Sequence, residues 1–97
     1  MATYINLLNY TADGIAKIKD SPTRVAQARA LMESLGGSMK GVYLTLGRYD
    51  LVVISEAPDD ETAARGLLTI AKGGAIRTET LKAFTEAEFK RIIAALP

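Results

Sequence analysis

The spacing of apolar and polar residues changes period several times along the chain. Residues 3–10, TYINLLNY, are short and rich in β-forming side chains, which predicts a first strand. The polar segment TADGIAKIKDS after it has room for a single helical turn. Ser21-Pro22 then has the form of a helix start, with serine as N-cap and proline where its missing N–H costs nothing. Val25, Ala28, Leu31, Met32 and Leu35 follow at helical spacing, and Gly36-Gly37 supplies the positive φ that favours a helix end. Residues 41–46 and 51–56 are apolar arms around a short polar stretch, the pattern of a hairpin. Pro58-Asp59 closes the second arm. Asp59 can cap a second helix, with Ala64, Leu67, Leu68 and Ala71 on one side and Gly73-Gly74 at its end. A fourth strand is expected over 75–84, AIRTETLKAF. The tail has the marks of a capped helix: Thr85 and Glu88 at capping-box spacing, Phe84 and Phe89 at the staple positions. Phe89, Ile92, Ile93 and Leu96 are its expected buried face.

The predicted order is β-α-β-β-α-β plus a terminal helix, an α+β, ferredoxin-like arrangement with two helices on one face of a four-stranded antiparallel sheet. Residues 1–97 form one domain on this reading, without linker or repeat. The strands say more about the second face. Tyr4, Asn6, Leu8 and Tyr10 alternate with Ile5, Leu7 and Asn9, and with the hairpin arms added neither side of the sheet is cleanly polar. A sheet that is apolar on both faces needs two covers. A second copy of the chain, paired sheet to sheet, is the natural one, with the tail helix as the alternative. Such pairing would trap Asn6, Tyr43, Thr45, and either Arg77 with Glu79 or Thr78 with Thr80, in an apolar cleft. That is the usual shape of a small-molecule site, and equally of an interface whose polar groups bond one another.

Composition narrows the chemistry. The 97 residues contain no cysteine and no histidine, which removes thiolate and imidazole catalysis and the soft metal sites. Only Asp, Glu, Lys and Tyr remain as acid–base groups. Neither a cofactor nor a metal is expected; the acidic run Asp59-Asp60-Glu61 suits a helix N-terminus better than an ion. The formal charge is +1 from 12 basic and 11 acidic residues, well mixed, so the basic stripe of a nucleic-acid binder is missing. No apolar run approaches the ~20 residues of a membrane span, and the start MATYINLLNYTADG lacks a basic leader, so cytoplasmic residence is the expectation.

The hairpin's polar stretch, Gly47-Arg48-Tyr49-Asp50, has two readings. In the structural one Gly47 takes a backbone angle other residues resist, Asp50 accepts N–H groups around the turn, and Tyr49 lays its ring on the sheet. In the functional one Arg48 and Tyr49 face a ligand carboxylate or a partner subunit while Asp50 orients them. Lys19, Ser21 and Arg24, around a helix N-terminus, could meet an anion but are more simply capping and solvated charge.

Those residues also carry a resemblance. Gly47, Tyr49 and Asp50 match the signature of the GYD family, and the segments IKDSPTR, KGVYLTLGRYDLVVISEAPDD and IRTETLKAFTEAEF resemble family segments in family order across essentially the whole chain. The resemblance implies a small bacterial ferredoxin-like protein of the dimeric α/β-barrel type. More distantly, GRYDLVVISEAPD resembles the corresponding hairpin of Lrp/AsnC effector-binding domains. That similarity implies assembly and small-molecule binding between subunits; no helix-turn-helix segment accompanies it here.

Three function classes follow. The first is a homo-oligomeric binding or interaction module with a pocket at or near the interface, open to a small anionic or aromatic ligand. Its candidate residues are Asn6, Tyr43, Thr45, Arg48, Tyr49, Asp50, Arg77 and Glu79. The second is a cofactor-independent isomerase or oxygenase with Tyr43, Glu79 or Asp50 as acid–base groups and Arg77 or Arg48 holding an anion. The third is a purely structural subunit.

Overall fold

Backbone chemistry at the turns defines where the elements end. The computed structural model describes all 97 residues. Strand β1 (Ala2–Tyr10) leads to helix α1 (Ala12–Ala16), whose N-cap Thr11 accepts the Gly14 N–H at 3.1 Å. A 3-10 turn (Ile18–Asp20) follows, then α2 (Ser21–Ser34). Gly36, at φ +83°, closes α2, and the Gly37 N–H reaches back to the Met32 carbonyl at 2.9 Å. Next come β2 (Ser38–Leu44), β3 (Leu51–Ala57) and α3 (Asp60–Ala71), with Asp59 accepting the Thr62 N–H at 2.8 Å as the α3 cap. β4 (Ile76–Ala83) and α4 (Glu86–Ala94) complete the chain, α4 opening on the predicted Thr85–Glu88 capping box.

The strands form one antiparallel sheet in the order β2-β3-β1-β4. This is the predicted ferredoxin-like fold. β1 and β3 are central, and the crossover helices α2 and α3 share one face. Tyr4, Met32, Ala57 and Ala63 form the small core beneath them.

Four local expectations change. Ser21 does not cap α2; its hydroxyl bonds the Tyr10 hydroxyl at 2.6 Å, and Asp20 stands at the cap without a side-chain bond. The strand β2 begins three residues early, at Ser38, with an irregularity between Met39 and Gly41. The inward side of α3 carries Ala63, Gly66, Leu67 and Ile70, whereas Ala64 and Leu68 point to solvent. Close approach of α2 selects this side: a Cβ on Gly66 would lie 2.8 Å from the Met32 sulfur, so only the small residues fit there. The fourth change is the largest. The α4 stripe is not buried by its own chain: Phe89 is 57% exposed, Ile93 52% and Leu96 61%. The molecule is correspondingly long, 51 × 31 × 18 Å.

Candidate functional site

The Gly47–Asp50 stretch is organised around one carboxylate. Gly47 has φ +125°, a conformation that side chains resist, and it turns the chain out of β2. The Thr45 N–H then donates to the Asp50 carbonyl at 2.9 Å, and the Thr45 hydroxyl to the Tyr49 carbonyl at 2.5 Å. Asp50 reaches further than a turn residue needs to. Its N–H donates to the Leu8 carbonyl at 2.9 Å, and its carboxylate accepts the Tyr10 N–H at 3.0 Å. The β1–β3 register ends at Leu8 opposite Leu51, so the Asp50 side chain replaces the next rung of the ladder. Thr45 and Asp50 are thus framework. Arg48 stands exposed at the tip without an ion pair.

Tyr49 leaves the loop toward β4 and donates its hydroxyl to Glu79 Oε2 at 2.5 Å. The Glu79 bond, above all, raises the Tyr49 pKa from its ordinary value; Arg48 opposes weakly. Leu7, Asn9 and Arg77 join this pair around a hollow of about 290 Å³. Arg77 makes no ion pair.

The hollow belongs to the sheet face that no helix covers. Register places Ile5 opposite both Ile54 and Leu81, and Leu7 opposite Val52 and Glu79, all on that face. Tyr43 lies there too, opposite Val52 on the edge strand, and is 59% exposed. The centre is therefore an apolar plate of Ile5, Leu7, Val52, Ile54 and Leu81, with Tyr43, Tyr49, Arg77 and Glu79 toward its margins.

Asn6 is not with them. It lies on the helix-covered face, 4% exposed, donating to Thr80 Oγ1 at 2.9 Å and accepting the Ser55 hydroxyl at 2.7 Å. Thr78 and Thr80 share this side, their hydroxyls 2.9 Å apart. Of the two alternatives the sequence left open, Thr78 and Thr80 accompany Asn6, while Arg77 and Glu79 accompany Tyr43. The eight candidates do not form one site. Ser55 went unremarked; the signal was a serine in an apolar strand, on the sheet face that Asn6 shares.

Above Asn6 a larger cavity, about 610 Å³, opens between this side of the sheet and helices α2 and α3. Closed and empty, it would cost on the order of ten kcal/mol, comparable with the whole stability of a small domain. At one end of the same layer Tyr4 donates to Asp60 Oδ1 at 2.5 Å, and Lys82 pairs with Asp60 at 3.0 Å. Burial first, then the Asp60 bond, then the charges of Asp60 and Asp59, push the Tyr4 hydroxyl up to about 12 from 10.0. The folded pKa lies above the unfolded one. The stability this hydroxyl contributes is therefore complete below pH 10 and lost as pH climbs toward 12. Tyr4→Phe is expected to flatten that loss, measured as urea midpoints at about pH 9 and about pH 11.5. Parallel curves for the two proteins would contradict it.

Fold and site together define a ferredoxin-like α+β domain that leaves one sheet face and one helix stripe uncovered. The chain belongs to the GYD family: the GYD domain model matches residues 4–93. A curated relative from Thermus thermophilus is 35% identical over 89 residues, 91% of this chain and 94% of its own, and is named a glutamine synthetase and cystathionine beta-lyase binding protein. Among solved structures, MtbAldR superposes with a TM-score of 0.68 at 14% identity, over 88% of this chain and 52% of that longer one. At that identity the likeness is one of fold alone. No helix is long and apolar enough to cross a membrane.

Proposed function

We propose that this protein is a homo-oligomeric interaction module that pairs through its open sheet face and docks onto other proteins as a pair. One observation carries the first half: the plate of Ile5, Leu7, Val52, Ile54 and Leu81 has no cover in its own chain, because α4 stands away from it. Monomers rarely leave so contiguous an apolar surface in water. Four strands about 4.8 Å apart and six residues about 3.4 Å long make a plate of about 19 by 20 Å. That is near half the ~800 Å² per partner of a standard interface. The stripe of Phe89, Ile92, Ile93 and Leu96 supplies further area of the same character. A second copy that takes up both reconciles the two exposed surfaces.

The second half is supported by the Thermus relative, whose name states that it binds glutamine synthetase and cystathionine beta-lyase. With 35% identity over nearly the full length of both chains, the same class of partner is the economical reading here. Isothermal titration of the purified protein against glutamine synthetase and cystathionine beta-lyase from its own organism tests it. Saturable micromolar binding to at least one is expected; heats equal to dilution for both, at tens of micromolar, would overturn the docking half and leave the pairing half standing.

A second reading is favoured by Arg77, an unpaired cation beside the Tyr49–Glu79 pair in a hollow of about 290 Å³. Pairing would close that hollow and make it suitable for a small anion held at the interface. Catalysis has less support. Of the acid–base groups it would need, Asp50 is engaged by the Tyr10 N–H and Glu79 by the Tyr49 hydroxyl.

A further inference from the structure

The cavity of about 610 Å³ lies on the opposite side of the sheet from the proposed pairing face. Its floor is the side of β1 and β3 that carries Leu8, Val53 and the Asn6–Ser55 pair. Its walls come from α2, through Val25, Ala28 and Leu31, and from α3, through Leu67 and Ile70. These wall residues are half-buried, and the two helices, which meet where Met32 approaches Gly66, flank a space that they do not fill.

The lining is uneven in a way that points to an occupant. Most of it is apolar, and the buried polar groups on the floor are satisfied by each other: Asn6 by Ser55 and Thr80, with no orphaned side-chain atom. A polar ligand body would find few free partners there. The lining contains no carboxylate, yet it includes two cations, Lys17 and Arg24. Both reach solvent, so they stand at the open edge. Lys17 is paired with Asp13 at 3.3 Å; Arg24 has no ion-pair partner. An apolar chamber with a free guanidinium at its rim matches a molecule with a hydrocarbon body and one anionic end.

We infer that the space between α2, α3 and the sheet is a binding site for a small amphiphilic carboxylate, its hydrocarbon body against Val25, Ala28 and Leu67 and its carboxylate at Arg24. The site lies within one protomer and does not depend on the pairing of sheets. Binding there would tie α2 to α3 and so couple occupancy to the stability of the helix layer.

The test uses the full-length protein, stripped of bound lipid, and three probes of one chain length: decanoate, decanol and decylamine. Titration calorimetry is expected to show one decanoate per chain, weaker decanol and no saturable decylamine. Arg24→Gln is expected to weaken decanoate about tenfold, the loss of one charged partner, and to leave decanol unchanged. Ala28→Phe, which fills the chamber from α2, is expected to abolish binding of both while keeping the helical circular dichroism; Val25→Phe serves if that variant does not fold. Decanoate and decylamine binding alike, undiminished decanoate binding to the filled variant, or no saturable decanoate binding below millimolar concentration would each overturn the assignment.

Discussion

Ile5→Lys is expected to abolish the proposed pairing and leave a folded monomer. Ile5 stands in a central strand, with Ile54 and Leu81 as its direct neighbours on either side. In one copy alone the new ammonium would simply project into water from a half-buried site. Against a second sheet it would be buried between Ile54 and Leu81 and their counterparts in the other copy, at a cost of several kcal/mol. Two-fold symmetry introduces the charge twice, so the dissociation constant should rise by at least about a thousandfold. Sedimentation velocity across a concentration series reads this directly. Thr3→Lys is the control: it lies on the same face but at its margin, opposite Glu56, and should leave the assembly intact. If Ile5→Lys sediments as the unaltered protein does, the open face is not where copies meet.

The second large effect belongs to Asp50. Asp50→Ala removes the carboxylate that accepts the Tyr10 N–H and leaves that donor at the end of β1 without its partner. A hydrogen bond to a charged acceptor is worth about 1.5–3 kcal/mol, and the unpaired donor adds to the loss. At about 4–8 °C per kcal/mol for a chain of this size, the Tm should fall by about 10–20 °C. Asp50→Asn, which keeps an acceptor but loses the charge, should fall by less than half of that. Both are read by thermal circular dichroism at one fixed protein concentration, since the proposed pairing would make Tm concentration-dependent. An Asp50→Ala change no larger than that of an ordinary exposed residue would mean the carboxylate does not hold the hairpin to β1.

The order of strands and helices was legible because each signal is local. The alternation in β1, the Gly36-Gly37 stop and the Thr85–Glu88 box each lie within a few residues of sequence, and each reappears in the structure. The orientation of α3 was not legible in the same way. Leu68 is more apolar than Gly66, so a pattern of hydrophobicity points Leu68 inward; the approach of Met32, 34 residues away in sequence, reverses that choice. The role of Asp50 was half legible. Aspartate at a turn announces an N–H acceptor, but that the N–H belongs to Tyr10 depends on β1 lying beside β3. The candidate site divided for a related reason. Alternation shows that Asn6 and Leu7 face opposite ways, yet only the side taken by α2 and α3 decides which polar groups are walled in and which remain open. Ser21 is a smaller case, a helix-start serine whose hydroxyl is claimed by Tyr10. The amphipathic stripe of α4 was plain in sequence, and its lack of cover was not, because a stripe says what is apolar and nothing about what lies against it.

These features share one physical cause. A chain of this length has limited apolar surface to bury, and here much of it lies outside its own core, on the sheet plate and on α4. The proposed pairing is built on that allocation. Sedimentation equilibrium of the unaltered protein at low micromolar concentration therefore tests the central claim most directly. The account predicts a species of at least twice the 10.4 kDa chain mass; a single species at the chain mass itself would contradict it.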